Sequence, residues 1–180
     1  MIYVFLADGF EDMEAIVPID VLRRTGLEVQ TVGVSGEYIK SCGKIELKTD
    51  ISISNIRTEN IEAMILPGGM TGVTNLDSNY KVHEFVNYCV EKNILIGAIC
   101  AAPTILGNLG ALENKEACCF PGFERKLKGA ILSNKPVCVF ENIITAKGPG
   151  VALEFALELV KYLKGETFKN RIKSYIQCQI

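Results

Sequence analysis

Short runs of aliphatic and β-branched residues alternate along this chain with segments whose apolar residues recur every three or four positions. Ile2–Leu6 is apolar throughout, the pattern of an interior strand buried on both faces. From Glu11 to Thr25, Met13, Ile16, Val17 and Val21 fall at helical spacing, and Gly26 follows as a C-terminal cap. Glu28–Val34 reads as a second strand. Tyr38–Lys40 and Ile45–Thr49, around Ser41-Cys42-Gly43-Lys44, predict a hairpin excursion. Ala63–Leu66 is the next interior strand, stopped by Pro67-Gly68-Gly69. Lys81–Glu91 sets Val82, Phe85, Val86, Cys89 and Val90 on one face of a helix. Leu95–Ile99 predicts a strand and Ala101–Leu109 a helix ended by Gly110. Val137–Phe140 and Ile143–Ala146 form two short strands turning at Glu141-Asn142. Gly148-Pro149-Gly150 then opens a helix over Val151–Leu163, and a last helix runs from Glu166 to Tyr175.

This alternation predicts an α/β three-layer sandwich: a mostly parallel sheet, helices on both faces and one small hairpin excursion. No repeat, low-complexity tract or linker interrupts it, so residues 1–180 read as one domain. Ligands of such sheets bind beyond the carboxyl ends of the strands. The segments to inspect are therefore Asp8-Gly9-Phe10, Pro67-Gly68-Gly69, Cys100-Ala101-Ala102 and Gly148-Pro149-Gly150.

Composition narrows the function classes. With 19 Lys and Arg against 21 Asp and Glu, the net charge is −2 and no basic block stands out, so nothing signals a nucleic-acid partner. The longest apolar stretch, Ile94 to Gly107, contains Pro103 and falls short of the roughly 18–20 residues of a membrane span. Met1–Ala7 has no basic flank and runs straight into Asp8, so it reads as a strand and not as a signal peptide. Seven cysteines, an odd number without a CxxC pair, suit reduced thiols in a cytoplasm. With Cys118 and Cys119 adjacent and His83 the only histidine, no metal site is expected, and no cofactor.

The candidate chemistry centres on Cys100. A buried strand ends at Ile99, one cysteine stands at the turn, two alanines follow, and Pro103 suits the first turn of the next helix. This is the pattern of a nucleophile elbow. A sulfur at a helix N-terminus meets unpaired amides and the positive end of the dipole, which favour thiolate and lower its pKa. The competing reading is a buried structural cysteine; the position at a strand-to-helix turn favours reactivity. Gly68 and Gly69 let backbone N–H groups approach a ligand as oxyanion donors, although such a dipeptide also marks ordinary turns. Gly148-Pro149-Gly150 carries the same two readings and lacks GxGxxG spacing. Glu11 and Asp12 complement the helix dipole. Glu14, followed by Ala15-Ile16-Val17, points over the strand ends towards Cys100. A carboxyl in a half-apolar pocket beside a sulfur has a raised pKa and shares a proton with it.

Together, Ala7 to Arg24, Leu66-Pro67-Gly68-Gly69, Ala98-Ile99-Cys100-Ala101-Ala102-Pro103 and Lys147-Gly148-Pro149-Gly150 resemble the ThiJ/PfpI family, collinearly over nearly the whole chain. The resemblance implies a flavodoxin-like fold in the class I glutamine-amidotransferase-like superfamily, usually as a homodimer. The Tyr38–Thr49 hairpin and the first helix are the candidate dimer surfaces. Cys100 matches the family's oxidisable nucleophile and Glu14 the acid that hydrogen-bonds its sulfur. Gly69 and Ala101 match the oxyanion-binding amides, with Gly68 and Pro149 completing the candidate substrate-binding positions. The activities implied are deglycation of protein or nucleotide adducts, cofactor-independent conversion of methylglyoxal to lactate, and redox-sensing chaperoning through an oxidised cysteine. A PfpI-type cysteine peptidase is the third alternative. It lacks its histidine: none follows Cys100, Phe120 stands where some members carry one, and His83 reads as a surface or packing residue. No role is assigned to Cys118, Cys119 or Cys178.

Overall fold

A computed structural model describes residues 1–179. The chain runs β1 (Ile2–Leu6), α1 (Asp12–Arg23), β2 (Val29–Gly33), β3 (Tyr38–Lys40), β4 (Glu46–Lys48), β5 (Ile51–Ser52), β6 (Ala63–Leu66), α2 (Met70–Asp77), α3 (Tyr80–Glu91), β7 (Leu95–Ile99) and α4 (Pro103–Asn108). It continues through β8 (Glu116–Ala117), β9 (Ile131–Leu132), β10 (Val137–Phe140), β11 (Ile143–Ala146), α5 (Ala152–Lys164) and α6 (Glu166–Tyr175).

Seven strands form the central sheet in the order β10-β11-β7-β6-β1-β2-β5. All neighbours are parallel except β10, which returns antiparallel along β11. The fully apolar strands are interior because both their faces are covered. On β1, Ile2, Val4 and Leu6 join a core with Phe155, Leu159 and Ile19 of α5 and α1. The alternate residues Tyr3 and Phe5 join a second core with Leu76, Val82, Val86 and Ile105 of α2, α3 and α4. Two cores separated by one sheet make the three layers.

The predicted hairpin is present, with Tyr38 opposite Lys48. Five elements depart from the sequence reading. The helix expected over Ala101–Leu109 starts only at Pro103, because Cys100 to Ala102 form the turn that leaves β7. Helix α2 and the sheet-edge strand β5 were not legible, and a small parallel pair, β8 with β9, lies outside the main sheet.

From β1 the chain extends the sheet one way through β2 and β5, and the other way through β6, β7 and β11. The switch point therefore lies between β1 and β6, where open α/β sheets bind their ligands. Glu14 and Gly68 come after the two strands of that switch point, β1 and β6, and Cys100 follows the adjacent β7.

Candidate active site

Strand β7 delivers Cys100 into the left-handed region, with φ of 66°. That conformation costs an L-residue roughly 1–2 kcal/mol and is held by hydrogen bonds on both sides of it. The Cys100 N–H donates to Ala146 O at 2.8 Å, and the Phe120 N–H donates to Cys100 O at 2.8 Å. The sharp bend lifts the side chain above the sheet, and Cys100 remains partly exposed while its alanine neighbours are buried.

Helix α1 brings the acid. Glu11 caps its N-terminus, accepting the Glu14 N–H at 2.8 Å, so the acidic run does more than complement the dipole. Glu14 itself is wholly buried. Its Oε2 accepts the Gly68 N–H at 2.9 Å, while Oε1 has no hydrogen-bond partner among the described residues. Gly68 is tightly enclosed: a β-carbon there would stand 2.6 Å from Cys100 Cβ and 3.1 Å from Sγ. The glycine thus lets the acid and the sulfur meet, and its amide holds the acid. Gly69, with φ of 88°, and Ala101 turn their N–H groups to the sulfur.

The electrostatics set these groups apart from an ordinary surface pair. Burial raises the Glu14 carboxyl to about 7; the charge of Glu11 adds to this, and contacts with the Cys100 thiol and the Gly68 amide oppose it. Burial likewise pushes the Cys100 thiol up, to about 12, and the Glu14 carboxylate adds to the rise. The amides of Gly69 and Ala101 pull the other way and are outweighed. The expected lowering of the thiol pKa by a helix N-terminus is therefore corrected: the donors are present, but desolvation and the neighbouring carboxylate dominate. Burial holds the Cys89 and Cys119 thiols equally high, so access and the adjacent acid, not acidity, distinguish Cys100.

The sequence pattern of the DJ-1/PfpI family matches residues 1–162. The chain belongs to that family. It is 34% identical over 166 residues to protein dj-1beta of Drosophila melanogaster, covering 91% of this chain and 89% of that one. It is 32% identical over 163 residues to the glutathione-independent glyoxalase DJR-1.2 of Caenorhabditis elegans, covering 90% and 87%. The structure of oxidized DJ-1 from Toxoplasma gondii superposes with a TM-score of 0.95 at 29% identity, over 99% of this chain and 98% of that one. The DJ-1 neighbours carry the flavodoxin-like three-layer arrangement seen here.

Within this DJ-1/PfpI fold the sequence-predicted residues separate. Cys100, Glu14, Gly68, Gly69 and Ala101 converge. Pro149 opens a short 3-10 turn and lines an apolar groove with Met13, Ile16, Val17 and Leu153; it is Gly148 that faces Glu14. Cys118 and Cys119 are buried, and Cys178 lies partly exposed near the C-terminus. His83 of α3 is engaged by Asp77, with Nε2 2.9 Å from Oδ1. Glu11, Asp12 and Cys42 bring oxygen and sulfur atoms within 4.8 Å of one another. Asp12 Oδ2 accepts the Gly43 N–H at 3.0 Å, which ties the hairpin to α1. Sequence reasoning missed Phe123, whose ring meets that of Phe120 edge-on; the Phe120-Pro121-Gly122-Phe123 turn signature was its available sign.

Proposed function

We propose that this protein is a cysteine-dependent enzyme of carbonyl-stress protection, acting on methylglyoxal-type α-oxoaldehydes as a cofactor-independent glyoxalase or on their protein and nucleotide adducts as a deglycase. One observation carries the reading: an accessible sulfur beside a buried carboxyl that has one oxygen unpartnered and an affinity for protons matched to neutral pH. The glyoxalase name of the Caenorhabditis elegans relative supports it.

A thiol held as high as Cys100 attacks only if its proton leaves during attack. The Glu14 carboxylate is the base placed to take it, a role that contributes on the order of 10²–10⁴ in rate. Sulfur adds to the aldehyde carbon, and the resulting oxyanion meets the Gly69 and Ala101 N–H groups; it then takes the proton from Glu14, which gives the hemithioacetal and restores the carboxylate. In the hemithioacetal of methylglyoxal, Glu14 removes the C1 proton and returns it to C2, while the hydroxyl proton passes from the C1 oxygen to the C2 oxygen. C1 is oxidised and C2 reduced within one molecule, which leaves a lactoyl thioester on Cys100. Water hydrolyses the thioester to lactate and restores the thiol. For an aminocarbinol adduct, sulfur displaces the amine from C1: the C–S bond forms as the C–N bond breaks, the amine leaves with the thiol proton, and the same hemithioacetal results.

Replacing Cys100 with serine is expected to abolish lactate formation from methylglyoxal; undiminished turnover in that variant overturns the mechanism. A second reading, redox sensing, is favoured by the amides and the carboxyl around the sulfur, which suit a sulfinate's oxygens. The exposed Met13 and Ile16 on α1, beside the groove at Pro149, support a homodimer across that face, checked by sedimentation. All seven cysteines are free, in keeping with a reducing, cytoplasmic setting.

A further inference from the structure

The floor of the site is polar, but one of its walls is aromatic. Phe120-Pro121-Gly122-Phe123 forms a tight turn in which the Phe123 N–H donates to Phe120 O at 3.2 Å. Proline at the second position and Gly122 with φ of 97° at the third are the signature of a type II turn. The turn is anchored to the nucleophile, since the Phe120 N–H donates to Cys100 O at 2.8 Å. It holds the two rings edge to face, with centroids 6.4 Å apart and planes at 68°.

Phe120 stands close to the acid of the site. The point where a β-carbon on Gly148 would stand is 3.1 Å from Phe120 Cδ2 and 3.9 Å from Glu14 Oε1, so the ring and the acid flank the same glycine. Phe123 borders a separate hollow of about 320 Å³, where Met70, Val73 and Ala101 stand beside polar side chains that include Asp77, Asn108 and Lys126. Phe120 is 42% exposed and Met70 63%, more than core packing would leave to solvent. The turn therefore sets one ring, Phe120, beside the acid and the other, Phe123, in the hollow that Ala101, the residue after the nucleophile, also lines.

We infer that the Phe120–Phe123 turn is a specificity wall that selects α-oxoaldehydes bearing an aryl or bulky apolar substituent, the phenylglyoxal class, over methylglyoxal and glyoxal. The inference rests on the enzymatic reading above and names its substrate class. With the aldehyde carbon at Cys100 and the carbonyl oxygens among the amides, the substituent lies against the Phe120 ring. The chemistry is unchanged: phenylglyoxal and water give mandelate by the same internal transfer from C1 to C2. An aromatic contact of this kind changes the preference by roughly 2- to 13-fold.

The test measures kcat/KM for glyoxal, methylglyoxal and phenylglyoxal, by glycolate, lactate and mandelate formation, in the unaltered chain, Phe120→Ala and Phe120→Leu. The unaltered protein is expected to prefer phenylglyoxal. The phenylglyoxal-to-methylglyoxal ratio falls about tenfold in Phe120→Ala and less in Phe120→Leu, which keeps the bulk and loses the ring. A ratio unchanged in both variants, or an unaltered protein that prefers methylglyoxal or glyoxal, overturns the specificity wall alone. No Cys100-dependent turnover with any of the three overturns the enzymatic reading, and the wall falls with it.

Discussion

Glu14 makes the stability of this protein depend on pH in a direction opposite to that of most carboxylates. Its ordinary value is 4.5, and burial in the fold raises it to about 7. Between these values the folded state binds a proton that the unfolded state has released, so stability falls as pH rises. The contribution is fully present below pH 4.5, is lost as pH climbs to about 7, and is constant above. At about 1.36 kcal/mol per pH unit, the gap corresponds to on the order of 3 kcal/mol. Glu14→Gln keeps the shape and removes the charge, so it isolates the effect from all other carboxylates. Urea denaturation followed by circular dichroism, from pH 4.5 to 8.5, gives both stabilities. The variant is expected to gain on the unaltered protein by about 3 kcal/mol across that range. A stability difference that stays constant with pH, or one that moves the other way, refutes the claim that the carboxyl is desolvated.

Two further perturbations test the packing and chemistry of the site. Gly68→Ala drives a methyl group into Cys100 and Glu14, and is expected to cost about 1–3 kcal/mol in urea denaturation and about 10² in lactate formation. Gly150→Ala meets nothing within 4 Å and is expected to change stability by less than about 0.5 kcal/mol; equal effects of the two substitutions would discredit the close approach at Gly68. Mild peroxide, followed by peptide mass spectrometry, is expected to add two oxygens to Cys100 before the more exposed Cys42 gains any. Uniform oxidation of the thiols speaks against a sulfinate-stabilising site.

The interior strands were readable because strands covered on both faces are apolar throughout, as in Ile2–Leu6 and Leu95–Ile99. The elbow was readable for a similar local reason: Cys100 stands between a buried strand and Pro103. Helix α2 was not, because Thr71, Gly72, Thr74 and Asn75 are weak helix formers. Tertiary contacts impose it: Val73 and Leu76 are buried, and the Gly72 N–H donates to Gly9 O at 3.2 Å. Strand β5 has two residues, too few for any alternation to register. The thiol's acidity was misjudged because helix-terminal amides follow from local sequence, whereas burial is set by the whole fold and the opposing carboxylate, Glu14, is brought in by α1. Gly68 and Gly69 read alike in sequence, yet one amide serves the acid and the other the sulfur.

The most direct test of the paired acid and sulfur is the pH profile of kcat/KM for lactate formation from methylglyoxal, in the unaltered protein and in Glu14→Gln. Because the ionised carboxyl is the base that receives the thiol proton, activity is expected to rise with pH and reach half its plateau near pH 7, where Glu14 ionises. In Glu14→Gln that step is expected to vanish along with most of the rate. A step near pH 7 that survives unchanged in the variant would mean that another group supplies the base, and the account of this site would be wrong.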